Sequence, residues 1–240
     1  MSKKSTITLL KEYDSENVSI EMGIDEVGRG PLFGRVYSAC VILPKKDDFK
    51  YEIIKDSKKF SSKKKMLEVY KYLIENIEYY SVSYIDENTI DKINILNASH
   101  QAMHSAISNL FEKHKDVFNI SNCLLMVDGN NFKPYCRYNN NQIEQLKHIT
   151  IEGGDNKYCN IAAASILAKV EHDKYIDELC KEYPKLQEYY DLNNNKGYGT
   201  RKHIEGIKKY GISPWHRKSF STCKSSHINR EEFYLDNSPP

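Results

Sequence analysis

Asp25 and Glu26 are adjacent carboxylates at the end of an apolar stretch, and Gly28-Arg29-Gly30-Pro31 follows after a single valine. Carboxylates bind hard divalent cations through oxygen. Glycines let backbone amides come close to a ligand, and arginine carries a permanent charge suited to phosphate. Asp128-Gly129 and Gly153-Gly154-Asp155 repeat the pairing of acid with glycine further along the chain. Each acid lies at or just past the end of an expected strand, and in open α/β sheets the strand ends gather ligand sites in one crevice. Four carboxylates in one crevice repel one another unless cations neutralise them. Two Mg²⁺ or Mn²⁺ ions about 4 Å apart would then hold the attacking and leaving oxygens of a phosphodiester displacement. Neighbours in a regular strand point to opposite faces. Asp25 and Glu26 therefore share a site only if the chain bends there, and Gly28 and Gly30 make a bend plausible. Taken singly, Asp128-Gly129 is turn chemistry; the repetition of the pattern is what argues for metal.

Gly28-Arg29-Gly30 reads either as a tight turn with an exposed arginine or as a turn whose amides and carbonyls lie against a nucleic-acid sugar. A 2′-hydroxyl is donor and acceptor at once, and by it a protein separates RNA from DNA. Tyr198, between Gly197 and Gly199, is the aromatic best suited to stack on a sugar or base. His203, His216 and Arg217 receive no role from residue type alone, because a lone histidine is usually structural or exposed.

These residues need elements to position them. Residues 18–24 alternate and read as a strand ending at the acidic pair. Residues 36–43 form an apolar run stopped by Pro44, a buried strand. Ser61 or Ser62 caps a helix over 63–76, with Met66, Leu67, Tyr70, Leu73, Ile74 and Ile77 on one face. Strands follow at 79–85, 123–127 and 147–151, the last two running into Asp128 and Gly153. Residues 95–111 have helical spacing. The Ala-rich stretch 161–170 is apolar on most sides and reads as a buried helix continuing to about Lys181. A further helix covers 201–210. The Asn-rich stretches 139–141 and 193–195 read as surface loops, and 221–240 as a polar, frayed tail. Strands first, then strands alternating with helices, give an α/β domain with a mixed sheet.

A chain of 240 residues holds one sizeable core, or one with a small appendage. With 40% hydrophobic and 28% charged residues, it is an ordinary globular composition. A net charge of +2 is too small to argue for nucleic acid by itself. The lysines at 55, 58, 59, 63, 64, 65 and 71 read alone as a solvated helix face. Six cysteines form no C-x-x-C pair and no zinc spacing; Cys40 and Cys123 sit in apolar runs as buried thiols. A disulfide framework is not expected at this length, which favours a reducing, cytoplasmic setting. No signal peptide and no bilayer-spanning stretch is found.

Together these segments resemble ribonuclease HII, the type 2 ribonuclease H family. The resemblance runs through Gly23-Ile24-Asp25-Glu26-Val27-Gly28-Arg29-Gly30-Pro31-Leu32, Asp56-Ser57-Lys58-Lys59, Val127-Asp128-Gly129-Asn130 and Gly153-Gly154-Asp155. It continues through Ala162 to Val170, Lys196-Gly197-Tyr198-Gly199-Thr200 and His216-Arg217-Lys218-Ser219-Phe220, in the family's order. It implies an RNase H-like fold, a mixed central sheet flanked by helices, with a small C-terminal helical extension. By segment, it implies an N-terminal extension over 1–17, a catalytic domain over 18–185, a helical substrate-binding extension over 186–220 and a tail over 221–240.

The resemblance also implies Mg²⁺- or Mn²⁺-dependent hydrolysis of the RNA strand in RNA/DNA hybrids, and incision at single ribonucleotides in duplex DNA. Asp25, Glu26, Asp128 and Asp155 match the metal-binding carboxylates, with two ions per site. Gly28, Arg29 and Gly30 match the turn that reads the ribose 2′-hydroxyl, and Tyr198 the tyrosine that stacks on the next sugar at an RNA-to-DNA junction. Ser57, Lys58 and Lys169 match positions resembling phosphate or structural contacts. The chain departs from the family at Arg35, where proline is usual, at the 139–141 insertion, and at His172, where arginine is common. Arg35 would loosen the loop or add a phosphate contact. No sliding-clamp motif is seen in the tail, and neither a platform domain of the HIII type nor an oligomer is expected. The competing readings are a resolvase- or integrase-type nuclease and a hybrid-binding module without catalysis.

Overall fold

The computed structural model describes residues 8–14, 18–139 and 141–233. In chain order the elements are β1 (Ile20–Val27), β2 (Val36–Ile42), α1 (Lys63–Asn76), β3 (Tyr79–Ile85), α2 (Glu87–Ile93), α3 (Ile95–Lys113), β4 (Cys123–Asp128), β5 (Cys136–Asn139), β6 (Gln142–Gln145) and β7 (Lys147–Ile151). Helices follow: α4 (Cys159–Glu182), α5 (Pro184–Tyr190), α6 (Leu192–Asn195), α7 (Arg201–Tyr210) and α8 (Ser221–Lys224). The chain forms two compact units that interleave in sequence. The first takes the residues up to Val27, Ser38–Ser83 and His100–Val170; the second takes Gly28–Tyr37, Tyr84–Ser99 and the chain from Glu171 on.

A five-stranded mixed sheet of order β3-β2-β1-β4-β7 organises the fold. β1 and β4 run parallel with Ile24 opposite Val127, and β4 and β7 run parallel with Asp128 opposite Ile151. The carboxyl ends of these strands therefore fall at one edge of the sheet. That register follows from burial: Met22 and Ile24 of β1, Leu125 and Val127 of β4, and Met103, Ala106, Ile107 and Leu110 of α3 share one core. The α3 positions have the spacing of a single helix face, and full burial of each large side chain is worth about 1.5–3 kcal/mol. A one-residue slip of β1 would turn that apolar set outward.

Most expected elements form where the pattern places them. Ser62 caps α1, its hydroxyl accepting from the Lys65 amide at 3.3 Å. Four features depart from expectation. β1 runs three residues past Ile24, so both acids lie inside it. Asn139 ends β5, which pairs antiparallel with β6, rather than lying in a plain loop, and residue 140 lies outside the described residues. Residues 193–195 belong to α6, and Asn195 is buried. The segment after Phe220 is not frayed over its described part: α8 forms, Ile212 bridges to Ile228, and Cys223 and Phe233 are buried. Residues 234–240 lie outside the described residues.

Candidate active site

Asp25 lies on β1 two residues before its end and is 5% exposed. Its Oδ1 accepts from the Glu26 amide at 2.7 Å, and its carbonyl accepts from Ser38 Oγ at 2.8 Å. The Ser165 side chain, from α4, hydrogen-bonds its carboxylate, and Ser57 Oγ lies 3.1 Å from Ser165 Oγ. Burial, then the charges of Glu26 and Asp128, hold the Asp25 carboxyl well above the ordinary range. At the end of β4, Asp128 accepts from the Gly154 amide at 2.7 Å. That bond ties the turn after β7, and with it Asp155, to the end of β4. Asp155 is 4% exposed, and its carboxyl is raised by burial, then by Asp128 and Asp56.

Lys58 Nζ stands 4.0 Å from Asp155 Oδ2. Its partial burial works against the charge, but Asp155, Asp56, Asp25 and Asp128 together raise its pKa. Sequence reasoning quoted Asp56 within a motif but gave it no role. The structure does: Asp56 is buried, accepts from the Lys58 amide at 2.8 Å, and accepts from Asn156 Nδ2 at 3.1 Å. Asn156 Nδ2 also donates to Asp155 Oδ1 at 3.0 Å. Ser165 and Asn156 were likewise passed over. The one available signal was their place within or beside quoted motifs. Lys169 lies on α4 four residues after Ser165, and so on the same helix face.

The turn expected beside Asp25 and Glu26 begins only after them, and Glu26 still lies close enough for its charge to raise the Asp25 carboxyl. β1 keeps strand geometry through Val27, and the first positive φ comes at Gly28. Consequently Asp25 is buried while Glu26 is only half-buried. Among the described residues, no three carboxylate, imidazole or thiol groups converge on a common ion position. The donor chemistry nonetheless fits a hard divalent cation. The donors are carboxylate oxygens, and the like charge that raises Asp25 and Asp155 is a cost that a cation offsets.

The second unit holds the Gly-Arg-Gly turn. Gly28 has φ 95°, and a Cβ there would lie 2.9 Å from the Arg35 carbonyl oxygen and 3.0 Å from the His172 ring. Any side chain is excluded by both conformation and space. A Cβ on Gly30 would meet the Tyr198 ring at 3.3 Å, so the structure brings the turn and Tyr198 together. Arg29 is exposed, and Tyr198 is 44% exposed. Asn195 fixes the approach to Tyr198: its Oδ1 accepts from the Gly197 amide at 2.9 Å, and its carbonyl accepts from the Tyr198 amide at 3.0 Å. The Gly197 carbonyl in turn accepts from the Leu32 amide at 2.8 Å.

Arg35, the expected source of a looser loop or a phosphate contact, is engaged with two aromatic rings. Its guanidinium lies between the rings of Tyr84 and Tyr175, 4.0 and 4.2 Å from their centroids. His172 is fully buried, with Nδ1 3.0 Å from Asp173 Oδ1.

A family model described as Ribonuclease HII matches residues 22–223. The ribonuclease HII of Phocaeicola vulgatus is 43% identical over 203 residues, covering 84% of this chain and 89% of its own. Among solved structures, the ribonuclease H2 of Pyrococcus horikoshii OT3 is similar with a TM-score of 0.63 at 23% identity, covering 85% of this chain and 95% of that one. The complex of PCNA and RNase HII from Archaeoglobus fulgidus gives 0.61 at 19% identity, over 84% and 95%. At such identities the solved structures speak for the fold alone.

Proposed function

The chain belongs to the ribonuclease HII family and is a type 2 ribonuclease H, and we propose that it both cleaves the RNA strand of RNA/DNA hybrids and incises duplex DNA 5′ of single embedded ribonucleotides. The products would be 3′-hydroxyl and 5′-phosphate ends. The observation that carries this reading is the placing of Asp25 and Asp128 near the carboxyl ends of two parallel strands, with Asp155 in the turn after a third, where each of two buried carboxyls is raised partly by a neighbour's charge.

Asp25, Glu26, Asp128 and Asp155 would hold Mg²⁺ or Mn²⁺, two ions per site, which would supply positive charge to the attacking water and to the leaving 3′-oxygen. The chain's own groups orient and balance that site. Ser165, backed by Ser57, fixes the Asp25 carboxylate. The Gly154 amide fixes Asp128. Asn156 holds Asp155 and Asp56 together, and Asp56 shapes the turn that carries Lys58. Lys58, 85% exposed at its side chain, can meet a substrate phosphate without leaving the neighbourhood of Asp155.

Only Val27 separates Glu26 from Gly28. The turn of Gly28, Arg29 and Gly30 would offer backbone donors and acceptors to a 2′-hydroxyl, and the exposed Arg29 would be available to phosphate. Tyr198, against Gly30, would stack on the neighbouring deoxyribose and so mark an RNA-to-DNA junction. Lys169 is assigned to backbone contact on the strength of its helix face. Recognition of this kind reads shape and sugar with little regard for base.

The test is a DNA duplex with one ribonucleotide, incubated with Mg²⁺, with Mn²⁺ or with EDTA. Incision on the 5′ side of the ribonucleotide with either metal, abolished by EDTA, is the expected result. Incision that survives EDTA would remove the metal, and equal cutting of an all-DNA duplex would favour a resolvase-type nuclease.

A further inference from the structure

Beneath the Gly-Arg-Gly turn lies a charge with no access to solvent. Arg217 is fully buried. Its guanidinium carries five N–H donors, and each meets a backbone carbonyl of one loop. Nε donates to Gly34 at 2.8 Å, and Nη1 to Arg29 at 3.0 Å and Pro31 at 2.8 Å. Nη2 donates to Gly28 at 2.6 Å and Arg35 at 3.1 Å. The main chain adds two more ties, Arg217 amide to the Leu32 carbonyl at 2.9 Å and Gly34 amide to the Trp215 carbonyl at 2.8 Å. Burying a charge is costly unless it is fully hydrogen-bonded. Here every bond goes to the segment that presents Gly28, Arg29 and Gly30.

The preceding residue reaches the other half of the reader. The Ser213 amide lies 3.0 Å from His216 Nδ1. A backbone N–H can only donate, so Nδ1 is an acceptor and the ring proton of neutral His216 sits on Nε2. That proton faces His203 Nε2 at 3.0 Å, which must therefore accept. His203 then carries its proton on Nδ1 and donates it to the Tyr198 carbonyl at 3.0 Å. One tautomer of each ring satisfies the whole chain.

We propose that His203 and Arg217 are positioning residues for the two halves of the ribose reader, Arg217 shaping the Gly28–Arg35 loop and His203, its tautomer set by His216, holding the Tyr198 carbonyl. The proposal rests on the reading of that turn and Tyr198 as the junction reader. His203→Asn and His203→Gln separate positioning from bulk stability, because the Asn amide nitrogen takes the place of Nδ1 and the Gln nitrogen the place of Nε2. Arg217→Lys keeps the charge but cannot span the loop's carbonyls.

The experiment measures kcat and KM on a single-ribonucleotide duplex and on a uniform RNA/DNA hybrid, together with amide exchange of the free protein over residues 28–35 and 197–200. H203Q and R217K should lose roughly 10- to 100-fold in kcat/KM on the single ribonucleotide, with a smaller loss on the hybrid, while H203N stays close to wild type. Amides of Leu32 and Gly34 should exchange faster in R217K, and that of Tyr198 faster in H203Q. Unchanged exchange in both variants, or equal losses in H203N and H203Q, overturns the proposal. Altered exchange in a protein whose wild type ignores single ribonucleotides supports the positioning and overturns the reading of the turn instead. If R217K fails to fold, the histidine pair decides.

Discussion

At the scale of single residues, the acids differ in what their neighbours ask of them. Asp128 accepts one bond from the Gly154 amide, and asparagine can accept the same bond through Oδ1. Asp128→Asn should therefore fold as wild type and lose turnover. An outer-shell partner of a metal is worth roughly 10- to 100-fold, so a direct ligand should cost more than that. A melting temperature near wild type with near-normal rates at saturating Mg²⁺ would take Asp128 out of the site. Tyr198→Ala should damage incision at a single ribonucleotide more than cleavage of a long hybrid, by the about 1–3 kcal/mol that a stacked ring supplies; equal damage on both substrates would remove its junction role. Arg35 was a phosphate candidate in sequence because only its charge was visible. Its sandwich between Tyr84 and Tyr175 changes the expectation. Arg35→Ala should cost about 0.5–2 kcal/mol of stability and leave the salt dependence of substrate binding unaltered, which a titration series in KCl would show. Asp56, Ser165 and Asn156 stayed unread for a related reason. Their roles come from partners such as Asp56 with Asn156, far apart in the chain, and no local spacing encodes such a pair.

At the scale of elements, period and punctuation carried most of the reading. α1 runs over the expected 63–76 because Ser62 caps it and Met66, Val69, Tyr70 and Leu73 bury one face. β4 and β7 were visible as short apolar or β-branched runs ending in acid-glycine turns. The elements that escaped are short. α5 opens on Pro184, a start signal without the length to show a period. α2 has seven residues and rests on its cap, the Asp86 carboxylate accepting from the Thr89 amide at 2.7 Å. α2 matters beyond its size, since its Asp91 accepts from the amides of Lys218 and Ser219 at 2.8 and 2.9 Å, next to Arg217. Asp86→Ala should thus cost about 0.5–2 kcal/mol, and amide exchange at Lys218 and Ser219 should speed up with it. A stability loss without faster exchange there would mean that α2 does not anchor that segment. Glu26 marks the opposite limit. Its half-buried place depends on strand geometry persisting to Val27, which the following glycines disguised as an earlier bend.

For the whole molecule, composition set the class, and the division into interleaved units lay beyond any linear reading because it depends on long-range contacts. Its response to acid is likewise a sum over both units. In the first unit the Asp25 and Asp155 carboxyls are raised, chiefly by burial. A raised acid binds its proton sooner when folded, so mild acid favours the native state through these groups. In the second unit burial lowers His203, and burial followed by the His203 ring lowers His216 further. A lowered base has the opposite sign. The unfolded chain takes up protons near the ordinary imidazole pKa of about 6.5, while the folded pair resists. Stability from the pair is complete above that value and falls as pH drops through it toward the folded pKa values. Protonation of His203 also sets two donors face to face across the Nε2 contact, and protonation of His216 sets its Nδ1 proton against the Ser213 amide. Glu87, buried and raised mainly by burial, acts in the sense of the aspartates, so a single melt cannot isolate the histidines. Comparison with H203N does, because the carboxyls are common to both proteins. Between about pH 7.5 and about pH 5.5, wild type should lose more melting temperature than H203N. Equal losses would show that the pair already carries a proton in the native state, and would break the chain of bonds from Ser213 to Tyr198.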